Sequence, residues 1–161
     1  MSGKRDRIWK ALEDVMDPEI PVLSVVDLGV IRDVDMKAEG GVRVTLTPTF
    51  SGCPALDVMR KEVARKVRSL GHDEVQVLLE YHPPWTTDDL TDRGREKLRE
   101  FGLTPPAEHG GNVALVLDGP RACPRCGSRE TELKNSFGST LCRSLHYCKD
   151  CREPFQAIKP L

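Results

Sequence analysis

Aromatic residues make up only 5% of this 161-residue chain. So few rings leave no visible platform on which nucleic-acid bases could stack. Neither sign of charge dominates, with 24 Lys and Arg against 25 Asp and Glu. A dedicated polyanion binder needs a basic excess, which is lacking here, although a local basic patch stays open. No apolar run approaches the ~20 residues needed to cross a bilayer. The N-terminus, MSGKRDRIWKALEDVMD, has no apolar h-region and does not read as a secretory signal. Phosphate loops of the types GxGxxG and GxxxxGK[ST] are missing, which argues against a nucleotide-driven reductase. Glu-x-x-His is missing too, and with it the ligand pattern of a di-iron oxygenase bundle. The expectation is a cytoplasmic protein that is not itself a catalyst.

What the chain does have is cysteine, six in all. In a reducing compartment, such a set points to metal or redox chemistry rather than to a disulfide framework. Five lie between Cys123 and Cys151, and Cys53 stands alone far upstream.

Hydrophobic periodicity organises the rest. Ile8, Leu12, Val15 and Met16 mark one face of a first helix, which Asp17-Pro18 should stop. Strands are expected near Val30–Met36, at Val42, Val44 and Leu46, and at Val75, Val77 and Leu79. Leu56, Met59, Val63, Val67 and Leu70 mark an amphipathic helix closed by Gly71. A polar helix is expected over roughly Asp88 to Phe101, with its aspartates at the positive end of the helix dipole. The order αββαβα predicts a small α+β domain with a three-stranded sheet over residues 1–102. The Pro- and Gly-rich stretch 103–121 reads as a linker, in which NVALVL could add a strand. Residues 122–161 are too few to fold by apolar burial alone.

That last segment carries Cys-x-x-Cys twice, at Cys123/Cys126 and Cys148/Cys151. Two residues between thiols let a tight turn aim both sulfurs at one ion, and two such turns complete a tetrahedral site. Gly127 tolerates the positive φ that such a turn wants. The expectation is a four-cysteine, zinc-ribbon-like domain with one structural Zn2+; iron in a rubredoxin-like electron carrier is the minor alternative. His146 competes poorly with Cys148 for a ligand position. Cys142 could exchange with a neighbouring ligand or simply pack as a small hydrophobe. The basic residues of this tail interleave with acids and read best as a solvated face.

Cys53 follows a strand and, with Pro54, opens a helix, so backbone N–H groups and the dipole should favour its thiolate. Packing where strand meets helix is an equally good account. His82 is a conceivable base for it, though no spacing requires this. Asp17 and Glu19 form a carboxylate pair that either caps a helix-stop turn or joins Cys53 as hard ligands.

The stretches DPEIPVLSVVDLGVIRDV, TLTPTFSGCPALDVM and HPPWTTDDLTDRGREKLREFGLTPP together resemble the iron–sulfur assembly domain family that includes SufT. The tail CPRCGS…SFGSTLCRSLHYCKDCREPFQAIKP narrows the resemblance to the PaaD-type (PaaJ-type) members of phenylacetate catabolism. The resemblance implies an accessory protein of the multicomponent monooxygenase that forms the ring 1,2-epoxide of phenylacetyl-CoA. Its implied task is to assist iron–sulfur cluster assembly or delivery to the reductase component. A permanent structural subunit of that complex is the alternative. The family's hallmark cysteine falls on Cys53, its acidic motif on Asp17 and Glu19, and its tail motif includes Cys142. Cys53 and Cys142, from two domains or two chains, could share an iron or a cluster. The family also implies contacts with other complex subunits and a homodimer, with no role for nucleic acid or membrane.

Overall fold

The computed structural model describes residues 2–49, 52–112 and 119–160. The chain divides into two compact units, Met1–Trp85 with Asp89–Gly94, and Thr86–Asp88 with Arg95–Leu161.

The first unit has a mixed three-stranded sheet in the order β1-β2-β3. Strands β1 (Ile31–Met36) and β2 (Val42–Leu46) pair antiparallel, with Val34 opposite Val44 and Met36 opposite Val42. In β2, Val42, Val44 and Leu46 are buried while Arg43 and Thr45 are half-buried, the alternation that a one-sided sheet requires. Helix α2 (Ala55–Arg68) buries Ala55, Met59, Val63 and Val67. These fall four residues apart and form a single stripe. The helix ends at Arg68 with Ser69 as its C-cap, and Gly71, two residues beyond the cap, has φ +91°, a left-handed conformation that a Cβ would strain. Strand β3 (Val75–Leu79) then returns parallel to β2. Helix α1 (Ser2–Leu12) packs against α2 and β1 and buries Ile8 and Leu12. The molecule is thus α+β, as the hydrophobic pattern predicts.

Two boundaries differ from that pattern. Helix α1 ends at Leu12 rather than at Asp17. Val15 and Met16 lie beyond it, where Met16 bridges Ser24 antiparallel and Val25 N–H donates to Val15 O at 2.8 Å. Val15 is buried there, but Met16 is 43% exposed, so helical spacing misplaced it. The polar helix begins later than Asp88. Thr87–Asp89 forms a single 3-10 turn and α3 spans Asp92–Glu100. Thr91 sets the start: its Oγ1 accepts from Gly94 N–H at 3.0 Å, and its own N–H donates to Asp27 O at 3.0 Å. A threonine cap of this kind satisfies an amide that the first turn leaves open.

The second unit has a four-stranded sheet in the order β4-β7-β6-β5. The last three strands, β5 (Thr131–Asn135), β6 (Arg143–Cys148) and β7 (Pro154–Ile158), form an antiparallel meander. The two-residue β4 (Leu103–Thr104) joins β7 in parallel. Residues 113–118, which hold most of the NVALVL stretch, lie outside the described residues. Along β6, Ser144, His146 and Cys148 are buried.

Candidate metal centre and thiol sites

Each Cys-x-x-Cys pair sits on a turn that closes on itself. Gly127 N–H donates to Cys123 O at 2.9 Å, and Cys148 N–H donates to Glu153 O at 3.0 Å. The residue after each pair has positive φ, +75° at Gly127 and +60° at Arg152. Glycine takes this conformation freely, whereas a side chain there costs about 1–2 kcal/mol. Arg152→Gly should therefore stabilise the unit, by roughly 0.5–1 kcal/mol once the extra freedom of the unfolded chain is subtracted. A thermal midpoint that falls instead would show that the Arg152 side chain itself supports the turn.

The two turns bring Cys123, Cys126, Cys148 and Cys151 together, with all four Sγ atoms within 4.8 Å of one another. Sγ of Cys123 lies 3.6 Å from that of Cys151, and Sγ of Cys126 lies 3.6 Å from that of Cys148. These are thiol separations, far longer than the ~2.05 Å of a disulfide. An ion bound at ~2.3 Å by four tetrahedral sulfurs sets them roughly 3.8 Å apart. The geometry and the all-sulfur donor set fit a soft or borderline metal ion. Among the described residues, this is the one group of three or more Cys, His, Asp or Glu side chains close enough to hold an ion. Backbone N–H donors, Cys151 foremost and then Asp150, pull the Cys148 thiol down to about 7. Burial, followed by the neighbouring thiols Cys148 and Cys123, pushes Cys151 up to about 12. A bound cation would displace both protons, since the metal binds thiolate.

His146 is not part of this cluster. Its ring stacks on Phe155 at 5.4 Å, and its Nε2 lies 2.8 Å from Ser144 Oγ. Burial, with Arg121 second, lowers its pKa. Cys142 is also outside the cluster; its Sγ lies 3.1 Å from Thr140 Oγ1 and the residue is half-buried.

Cys53 is half-buried immediately ahead of α2. Pro54 is the N-cap of that helix and makes no side-chain capping bond, and Leu56 N–H donates to Cys53 O at 3.1 Å. Asp17 Oδ1 accepts from Glu19 N–H and Ile20 N–H, both at 2.7 Å. Those bonds shape the loop, as the capping account of Asp17 expects. Asp17, Glu19 and Cys53 do not form a three-ligand group among the described residues.

Asp27, a buried acid of the first unit, is one that hydrophobic periodicity does not single out. It has no exposed surface. Its Oδ2 accepts from Ser24 N–H at 3.1 Å and from the Ser24 hydroxyl at 2.9 Å, and its Oδ1 accepts from Arg93 Nε at 2.7 Å. Arg93 Nη1 also donates to Glu13 Oε2 at 3.0 Å. Asp27 first and Glu13 second raise the Arg93 pKa. Two glycines hold the same seam shut. A Cβ on Gly29 (φ +68°) would strike Asp89 O, and one on Gly94 would lie 2.8 Å from Asp27 O. The sequence does carry a signal for Asp27: a charged residue inside the apolar run VVDLGVI must be paired if buried.

Residues 5–79 match the model of the iron–sulfur cluster assembly protein family, and residues 112–159 match that of the PaaD zinc beta ribbon domain. A protein of Escherichia coli K12, provisionally named as one of the subunits of 1,2-phenylacetyl-CoA epoxidase, is 45% identical, covering 94% of this chain and 90% of that one. The Fe-S protein maturation auxiliary factor of Porphyromonas gingivalis is 41% identical across 60% of this chain and 89% of its own. The Bacillus subtilis factor of the same description is 36% identical across 54% and 85%. Among solved structures, a domain of unknown function from Bacillus anthracis shares the fold with a TM-score of 0.55 at 27% identity, covering 60% of this chain and 92% of that one. The chain belongs to the PaaD family, with an iron–sulfur cluster assembly domain followed by a PaaD zinc ribbon.

Proposed function

We propose that the protein is a maturation accessory of a multicomponent phenylacetyl-CoA 1,2-epoxidase. It would hold iron or an iron–sulfur cluster transiently and deliver it to the iron–sulfur reductase component. The observation that carries this reading is the tandem: an assembly domain related to maturation factors, joined in one chain to the ribbon of an epoxidase-associated relative. No helix among the described residues is long and apolar enough to cross a membrane, which agrees with work in the cytoplasm.

Cys53 is the proposed transient ligand. Its place at the start of α2 supports this, because amides of a first helical turn stabilise a thiolate. Asp17 and Glu19 would tune or complete that site, and the two backbone bonds to Asp17 would fix the loop that carries them. Cys142 is the second proposed thiol for the cargo. The four clustered cysteines would hold one structural Zn2+, which would cross-link the two turns and supply folding energy rather than chemistry. A homodimer would bring two Cys53 sites into one particle.

Cys53→Ser should leave folding and zinc content unchanged while the reductase component accumulates without its cluster. Metal and acid-labile sulfide analysis of anaerobically purified protein, together with the cluster content of the client, makes the measurement. Full cluster content in a client matured by Cys53→Ser would end the carrier role. The relative's name as an epoxidase component favours a second reading, a permanent structural part of the complex. Stoichiometric retention in the purified complex would support that; dissociation after maturation supports the carrier.

A further inference from the structure

The β5–β6 connection, residues 136–142, is fixed by several hydrogen bonds. Phe137 N–H donates to Asn135 Oδ1 at 3.0 Å, and Gly138 N–H donates to Arg143 O at 2.8 Å. Ser139 donates twice to Gln156 Oε1 on β7, from N–H at 3.2 Å and from Oγ at 2.8 Å. Lys159 N–H donates to Cys142 O at 2.9 Å. At Gly138 a Cβ would lie 3.0 Å from Gln156 Oε1 and 3.1 Å from Arg143 Cβ, so the close approach favours glycine.

The outermost side chains of this fixed loop are apolar. Leu141 is 74% exposed and Phe137 is 60% exposed, the two highest values among the large hydrophobics described. Single exposed hydrophobics are ordinary. Two on a loop whose backbone is already ordered form a different object, because docking them costs little further ordering. The two charged side chains at the loop itself are basic. Lys159 Nζ stands 4.4 Å from the Phe137 ring centroid, and Arg143 Nη1 donates to Ser139 Oγ within the loop. Further along β5 and β6, Lys134 Nζ lies 5.4 Å over Tyr147 and is paired with Glu132.

We propose that this tip, Phe137 and Leu141 flanked by Arg143 and Lys159, docks into an apolar hollow with an acidic rim on a protein partner. Two other occupants fit worse. A second copy of the chain would bring the same cations against these, and like charges repel. A nucleic acid would need open aromatic faces to stack on, but lysines sit over the rings of Phe137 and Tyr147. The choice of partner rests on the proposed function: a component of the epoxidase complex, with the ribbon as the docking arm and the first unit as the carrier.

The test uses the full zinc-loaded chain and the purified remaining components of the epoxidase, with binding measured by interferometry. Leu141→Asp should weaken binding about 30-fold, as loss of a hot-spot anchor does. Lys159→Glu should weaken it less and flatten its dependence on salt between ~50 and ~500 mM. Leu78→Ser, at an exposed apolar residue of the first unit, serves as the control and should bind as wild type. Zinc content and thermal midpoint would establish that each variant is folded. Unchanged binding by folded Leu141→Asp overturns the tip and leaves the proposed function standing. Failure of the wild type to bind any component overturns both.

Discussion

Cys126→Ser will unfold the ribbon unit and leave the first unit folded. The reason is the composition of the ribbon's core. Its buried cluster consists of Cys123, Cys148 and Phe155, with Cys151 packed against it. Three of those four residues are the proposed metal ligands, and the other apolar side chains that the described residues of this unit bury are few: Leu98, Leu103, Ala157 and Ile158. A unit of this size cannot offset its chain entropy by such burial. Structural zinc contributes about 10–16 kcal/mol in small zinc modules at neutral pH, more than the entire stability of most domains. Losing one of four ligands should remove most of that. Limited proteolysis should cut the variant first beyond residue 121, and zinc analysis should fall from one ion per chain towards none. Exhaustive chelation of the wild type should give the same cleavage pattern. A ribbon that stays protease-resistant without metal would show that the sheet of β4 to β7 holds itself together, and the zinc assignment would lose its structural basis.

The parts of the fold that could be read from the sequence are those with a clean period. The alternation Val42, Val44, Leu46 marks β2, and the stripe Met59, Val63, Val67 marks α2, both buried as a period argument demands. The metal cluster is legible for a different reason: Cys-x-x-Cys spacing is a constraint on turns, and turns are local. What could not be read depends on partners distant in sequence. Met16 looks helical because its spacing from Leu12 is right, but its bridge to Ser24 is a pairing that no period encodes. The start of α3 is hidden because Thr91 is fixed partly by Asp27, which precedes it by many residues. Asp17, the acid that stands out in the sequence, bonds the backbone two and three residues on, a local device. The acid that closes the first unit, Asp27, bonds a side chain from a separate element.

That contrast yields the second large effect. Asp27→Ala should destabilise the first unit by about 3 kcal/mol, chiefly through the buried donors it leaves without an acceptor, because its partner Arg93 is 48% exposed and can turn to water. Two donors of Ser24 would lose their acceptor, and each buried donor left without one costs about 1–3 kcal/mol. In a unit of this size, such a loss lowers the thermal midpoint by roughly 15 °C or more. Arg93→Ala should cost a comparable amount, because it takes the paired guanidinium away from a carboxylate with no exposed surface. The double variant decides whether the pair is the cause. If the two residues act through each other, the double variant will be less destabilised than the sum of the singles, by at least about 1 kcal/mol. Glu13→Ala is the internal comparison: its bond to Arg93 is exposed, so it should cost under about 1 kcal/mol. Strict additivity of Asp27→Ala and Arg93→Ala would mean that each acts through its other partners, Asp27 through Ser24 and Arg93 through Glu13, and not through the bond between them.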